Sequence, residues 1–296
     1  MSWQTLVNAI ALGAIFGLVA VGIGLVFGVL RLVNFAYGEI ITAGGYTLAF
    51  MNGQPPWLAI VACVGACIAM ALAQEVIAFR PLRRHSANPA TMLVATFAIS
   101  FLLQAIYLLA FGSRGNIVGT LGGLNTAVTI RGVDIRWISI VSVIVGAVLL
   151  AATAALLGRT SVGLHIRAAA ADFRTARTLG VRANRVIGFS FAIAGVLAAA
   201  VSVLYTVQNP LVTPDFGVQI TIFALIGVVV GGLDRLWTAA LGGFTIGFVD
   251  VLFGDLLPSS KSVYLPSVVF GLVILVLLLR PVGLFAPLGS RPVERV

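Results

Sequence analysis

The chain has 296 residues, 60% of them hydrophobic and only 9% charged, and its mean hydropathy is +1.13. A soluble domain covers itself with roughly 25% charged residues, so this composition excludes a water-soluble protein and points to a polytopic membrane protein. The net charge of +9 does not indicate nucleic acid, because the arginines fall in short stretches between apolar runs, a pattern that sets orientation across a membrane.

Three further exclusions follow from residue types. Lys261 is the only lysine. The phosphate-binding loop GxxxxGK[ST] needs a lysine after glycine, so nucleotide hydrolysis by that route is absent and ATP chemistry would belong to another subunit. Cys63 and Cys67, four apart on one apolar run, are too few for a structural zinc site and read as small packing residues. The first basic residue is Arg31, so the N-terminal apolar run lacks the basic region of a cleavable signal and is expected to stay in the protein.

In chain order, the first span is expected at about Leu6 to Leu30. Its Gly13-x-x-x-Gly17 and Gly24-x-x-x-Gly28 mark a face in close helix contact, inside one bundle or between two copies. Polar residues then interrupt the oil from Arg31 to Glu39. Asn34 is placed to cap a second helix running to about Met51. This helix is short for a span, so its start is expected below the membrane surface, which would put Glu39 inside the membrane. An ionisable group there is costly and a site candidate by default; the alternative is a carboxylate neutralised by Arg31 or held by amides of a broken helix end.

After a Gln54-Pro55-Pro56 turn, a third span is expected from Trp57 to Phe79, stopped by Pro81. Arg80, Arg83 and Arg84 place the following loop in the cytoplasm, with His85 a solvated loop residue. The fourth span, about Ala90 to Phe111, carries Thr96, Ser100 and Gln104 on one face, either lining a pathway or hydrogen bonding between helices. Val128 and Ile130, then Val133 and Ile135, alternate around Arg131-Gly132 and predict a small hairpin on the side opposite the arginine-rich loops.

A fifth span, Trp137 to Leu157, leads into the most polar stretch, residues 158–185. Arg159, Arg167, Arg174, Arg177, Arg182 and Arg185 stand there beside the single acid Asp172. From about Leu164 to Leu179 the spacing predicts one helix, with Gly180 placed to end it. A sixth span follows at about Val186 to Val207. From Ile220 two shorter apolar runs are split at Gly231-Gly232-Leu233-Asp234-Arg235, and a last span runs from about Leu265 to Leu279 before a tail with Arg291 and Arg295. The expected fold is all-α and polytopic, with about 8–9 transmembrane segments, a short cytoplasmic coupling helix and a small periplasmic hairpin. Residues 1–296 form one domain, with the N-terminus outside and the C-terminus inside.

Several blocks resemble, in order, the H-type permease subunit of branched-chain amino-acid ABC importers. They are Gly28 to Glu39, Arg80-Pro81-Leu82-Arg83, Ala176 to Val181, Gly231-Gly232 with Gly242-Gly243, and Arg280 to Phe285. The resemblance covers nearly the full length. It implies a bacterial inner-membrane permease with a second related permease subunit, two cytoplasmic ATP-binding subunits, a periplasmic substrate-binding protein, and no cofactor of its own. Residues 158–185 would be the loop that fits the ATPase, with Arg167, Asp172, Arg174, Thr175, Ala176, Arg177 and Gly180 as the coupling residues. Where the family commonly has Glu-Ala-Ala, this chain has Arg174, Thr175 and Ala176. Tyr37 stands where histidine is usual, and Asp234-Arg235 where Gly-Ser is common.

For the translocation path the candidates are Asn34, Tyr37, Gly38, Glu39, Gly231 and Gly232, whose backbone amides would face a substrate carboxylate, and the Thr96, Ser100, Gln104 stripe. Two readings compete with the ATP-driven importer and its docking loop. One is an ion-coupled secondary transporter using Glu39, Glu75 or Asp250. The other has the loop arginines only fixing topology or holding anionic headgroups of membrane lipid.

Overall fold

The computed structural model describes residues 3–85, 88–130, 133–178, 180–232, 235–258, 263–280 and 283–285. Twelve α-helices dominate it. They are α1 Trp3–Leu30, α2 Tyr37–Phe50, α3 Pro56–Ala73, α4 Arg80–Arg84, α5 Pro89–Phe111, α6 Trp137–Arg159, α7 Ser161–Ala171, α8 Phe173–Thr178, α9 Ala183–Gln208, α10 Phe216–Gly231, α11 Leu236–Leu256 and α12 Leu265–Leu279. Among the described residues six helical runs are long and apolar enough to cross a membrane, and α10 and α12 are shorter apolar helices. The 14-residue α2 is a further short helical segment, and the hydropathy pattern suggests about 8–9 segments. The chain is an all-α polytopic membrane protein.

The centre of the bundle is α1. Of its most apolar stretch 83% is buried inside the protein, against 17% for α5 and 22% for α6. Around it stand α6, α9, α10 and α11. The first glycine pair accounts for part of this: a Cβ on Gly13 would press on the Phe244 carbonyl and ring, and one on Gly17 on the Ala240 carbonyl. That face of α1 meets α11 within one molecule. The second pair behaves differently. A Cβ on Gly24 or Gly28 would meet only ordinary contacts, at 3.4 Å and 3.9 Å, and both glycines face a cleft.

The third span departs from expectation at its end. The helix does not stop at Pro81 but continues through it to Arg84. A proline inside an α-helix clashes with the carbonyl four residues back. Here the preceding turn, Gln74–Phe79, is π-helical, and the Arg80 amide reaches back five residues to the Glu75 carbonyl. The wider turn resets the carbonyls ahead of Pro81 and turns Gln74 and Glu75 inward, where both are buried.

Two small sheets cap one end. In the expected hairpin β2 (Ala127–Ile130) pairs antiparallel with β3 (Val133–Arg136), while β1 (Asn116–Ile117) pairs with β4 (Leu211–Val212). Asn52, just past α2, ties this end together by donating to the Ile117 carbonyl at 2.7 Å and accepting from the Gly119 amide at 2.9 Å. The Arg131-Gly132 turn, Leu233-Asp234 and the Arg291 and Arg295 tail lie outside the described residues.

A crossing of α2 with α10 holds the inner layer. A Cβ on Gly217 would run into the Gly38 carbonyl, one on Gly38 would sit 2.7 Å from the Gly217 carbonyl oxygen, and the Gly217 amide donates to Thr42 Oγ1 at 2.9 Å. Gly217→Ala is therefore expected to cost about 1–3 kcal/mol by overpacking, seen as a fall in thermal unfolding temperature in detergent. Gly65→Ala on α3, where nothing lies within 4 Å of the new Cβ, is the control and should be neutral or stabilising.

Candidate functional site

The break after α1 is what places Glu39. Arg31 ends α1 in the left-handed region, at φ 53°, and the chain turns back into the bundle. In this turn the Asn34 side chain accepts from the Ala36 amide at 3.0 Å, while its Nδ2 donates to Gln74 Oε1 at 3.4 Å. The helix starts only at Tyr37, so the residue at the cap is Ala36 and Asn34 instead closes the preceding turn. Tyr37 is fully buried. Its hydroxyl donates to the Ala194 carbonyl at 3.0 Å and fills the space beside Gly22. Gly22 lies eight residues before the end of α1, so the Tyr37 hydroxyl meets α1 about 12 Å back from that end at 1.5 Å per residue.

Glu39 follows two residues later, inside the bundle. Its Oε1 accepts from Ser100 Oγ at 2.8 Å and from Gln104 Nε2 at 3.1 Å, and Gln104 also donates to Ser100. Ser100 is eleven residues from either end of α5, so the carboxylate lies close to halfway along a spanning helix. Tyr107, three residues beyond Gln104 on the same face, donates to the Glu39 backbone carbonyl at 2.9 Å. Aromatic pairs flank the cluster: Phe35 stacks on Phe97 with centroids 4.0 Å apart, and Tyr46 on Phe111 at 4.1 Å. The carboxylate is fully buried, and its second oxygen, Oε2, has no hydrogen-bond partner.

Of the polar stripe on α5, Ser100 and Gln104 thus meet Glu39 by bonding between helices, while buried Thr96 donates to the Leu93 carbonyl of its own helix. Arg31 does not reach Glu39 but donates to the Ala170 carbonyl of α7 at 2.6 Å. The other proposed carboxylates sit elsewhere. Glu75 is ion-paired with Arg83 at 2.6 Å, and Asp250 is half-buried on α11. Gln74, which donates to the Ala36 carbonyl at 2.9 Å, and Tyr107 are the members of this region that sequence reasoning missed. Tyr107 was reachable, since it extends the Ser100 to Gln104 face by one helical turn.

Several of the amides at the two helix breaks are occupied internally. Those of Ala36, Tyr37 and Glu39 bond to Asn34 and Ala36, and the Gly232 amide bonds to the Val228 carbonyl. Gly231 lies against Thr238 and Gly242 so closely that a Cβ would strike the Thr238 carbonyl, and Gly232 has φ 106°. The segment after α12 locks onto this turn as the Leu284 amide donates to the Val230 carbonyl at 2.7 Å.

At the arginine-rich end, the single helix expected over residues 164–179 is two helices, α7 and α8, bent at Asp172 (φ −149°, ψ 105°). Asp172 itself makes the break. Its carboxylate accepts from the Thr175 amide at 3.1 Å and the Thr175 hydroxyl at 2.6 Å, which is an N-cap for α8. Ala176 is buried, and the Val181 amide closes back on its carbonyl across Gly180, which has φ 88°. Arg167 is exposed and donates to the Gly158 carbonyl at 3.4 Å. Arg174 and Arg177 lie on α8, their side chains outside the described residues. One residue, Thr160, separates α6 from α7, and α8 is joined to α9 through residues 179–182.

Residues 5–278 match the model of a family described as branched-chain amino acid transport system / permease component. This chain belongs to that permease family. It is 31% identical over 307 residues to the high-affinity branched-chain amino acid transport system permease protein BraD of Pseudomonas aeruginosa, covering 99% of this chain and 97% of that one. To the LivH permease protein of Escherichia coli K12 it is 29% identical over 314 residues, with the same coverage. To the probable LivH of Methanocaldococcus jannaschii it is 27% identical over 298 residues, covering 97% and 91%. A permease component of this family does not itself hydrolyse ATP, in line with a chain whose only lysine is Lys261. The match takes in the Glu39 cluster and the bent α7–α8 element alike.

Proposed function

We propose that this permease is the membrane-spanning subunit of an ATP-driven importer that moves branched-chain amino acids from periplasm to cytoplasm across the inner membrane. It pairs with a second, related permease and works with two ATP-binding subunits and a periplasmic substrate-binding protein. The observation that carries the reading is the family match over residues 5–278 together with a folded polar element joined with little slack to two spans, α6 and α9. A permease without a nucleotide site must receive work mechanically. An ATPase that closes against α7 and α8 moves α6 and α9 as rigid bodies, and α9 packs on α1, α2 and α3. Arg31 carries the same motion to the α1–α2 break through its bond to α7.

The orientation follows from charge. The end bearing Arg31, Arg80, Arg83, Arg84 and residues 158–185 faces the cytoplasm. The hairpin and the N-terminus of α1 then lie on the periplasmic side. Within the membrane the path runs by the Glu39 cluster, where Oε2 is the unsatisfied group that a substrate ammonium would meet as the helices part. In the importer's present state that oxygen is enclosed, so access requires movement of α5 relative to α2. The chain alone in proteoliposomes, under a proton or sodium gradient, is expected to give no uptake. Leucine uptake should appear when the second permease, the ATPases, the binding protein and ATP are supplied. Gradient-driven uptake by the chain alone would overturn this reading in favour of a carboxylate-coupled carrier.

A further inference from the structure

A cleft of about 560 Å³ opens at the arginine-rich end between α1, α6, α7 and α11. Its floor is apolar, with Leu25 and Leu157 among its walls, and its mouth carries Arg31, Arg167 and Arg235 beside the exposed Trp237. None of the described residues lining it is Asp or Glu. Along α1 the lining runs from Val21 to Arg31, about 15 Å at helical rise. That is about half of a 30 Å hydrocarbon core, the depth of one leaflet. A cationic rim, an interfacial tryptophan and an oily slot one leaflet deep match the two ends of a phospholipid.

We infer that this cleft holds one anionic phospholipid, its phosphate among the three arginines and an acyl chain along α1. The charge pattern decides against the transported amino acid, because a zwitterion's ammonium would find no carboxylate among the described lining residues. Gly24 and Gly28 leave the slot open where larger residues would fill it, although neither is required by close helix packing. Because Arg167 and Ala170 belong to α7, the lipid bridges the bundle and the element proposed to receive the ATPase stroke.

Native mass spectrometry of the delipidated full chain in detergent tests this, using phosphatidylglycerol and phosphatidylcholine of identical acyl chains. One phosphatidylglycerol is expected to be retained, with a preference over phosphatidylcholine on the order of tenfold. Arg167→Gln with Arg235→Gln should abolish the preference, and Gly28→Leu should lower retention of both lipids. Both arginines are exposed and the Gly28 Cβ would meet its nearest neighbour at 3.9 Å, so the variants should remain folded. Thermal unfolding in the same detergent checks this. Equal retention of the two lipids, or phosphatidylglycerol retention unmoved by both variants, overturns the proposal. So does displacement by inorganic phosphate alone, which would mean a simple anion site, or a dimer that the cleft variants dissociate, which would mean a second copy. Lipid retention is read on the chain alone and stands or falls independently of the transport assignment.

Discussion

Replacing Glu39 with leucine is expected to destabilise the chain by about 2 kcal/mol or more, whereas glutamine should leave the fold intact and still stop transport. The leucine figure follows from what the carboxylate satisfies. Removing it strands Ser100 and Gln104 in a buried setting, and each buried polar group left without its partner costs about 1–3 kcal/mol. Measured hydrogen bonds between membrane helices average only about 0.6 kcal/mol, and removing a buried charge relieves its desolvation, so the lower part of the summed range applies. Glutamine offers a carbonyl in place of Oε1 and an amide in place of the unpartnered Oε2, preserving shape and both acceptances. Thermal unfolding and hydrogen exchange along α5 separate the variants: leucine should lower the first and raise the second, glutamine neither. In the reconstituted importer, glutamine should cut uptake by at least tenfold if the charge meets substrate. Wild-type uptake by Glu39→Gln would reduce Glu39 to a strut between α2 and α5.

Much of this arrangement was visible in the pattern of residues, because a membrane makes the pattern strict. Apolar runs must be helical in lipid, so the spans could be counted from hydropathy, and the polar interruption from Arg31 to Glu39 had to be a broken helix. The shortness of the run to Met51 points to Glu39 at depth, and the residue is buried in the bundle. Other features depended on distant packing. Nothing local says that Ser100 and Gln104 face Glu39, sixty-one and sixty-five residues away, rather than a pore. The two glycine pairs of α1 read identically in sequence, yet Gly13 and Gly17 press on the backbone of α11 while Gly24 and Gly28 meet only side chains, at ordinary distance, beside a cleft.

Two departures have local causes that compete with a general rule. Pro81 reads as a helix stop because an ordinary α-turn cannot accept it. The π-helical turn that precedes it is stabilised by the local Glu75–Arg83 pair and by burying Gln74 against the Asn34 turn, a contact that no window around Pro81 contains. Asp172 reads as one acid within an alanine-rich helix. Its short side chain competes for backbone amides, and with Thr175 three residues on it starts a new helix. The result is an elbow in place of a rod.

That elbow frames the strongest expectation for the coupling element. Reversing both Arg174 and Arg177 to glutamate is expected to abolish association with the ATP-binding subunits while the chain still inserts and folds. Both residues lie on the six-residue α8, between the cap at Asp172 and Gly180. The double change shifts the local charge by four units, and at a desolvated contact truncating even one charged partner costs about 2–5 kcal/mol. The loss should therefore be at least a hundredfold in affinity, measured by co-purification and by ATPase stimulation in the reconstituted complex. Asp172→Ala separates geometry from charge. It keeps both arginines and removes the cap of α8, at a cost of about 1 kcal/mol, so it should weaken coupling of ATP hydrolysis to uptake more than it weakens association. If the Arg174 and Arg177 reversal leaves an intact complex with full uptake, the docking surface is not α8 and the work enters the bundle elsewhere. If reversal and Asp172→Ala act alike, the bend at Asp172 contributes only to the shape of the contact and not to transmission through α7 to α6 and Arg31.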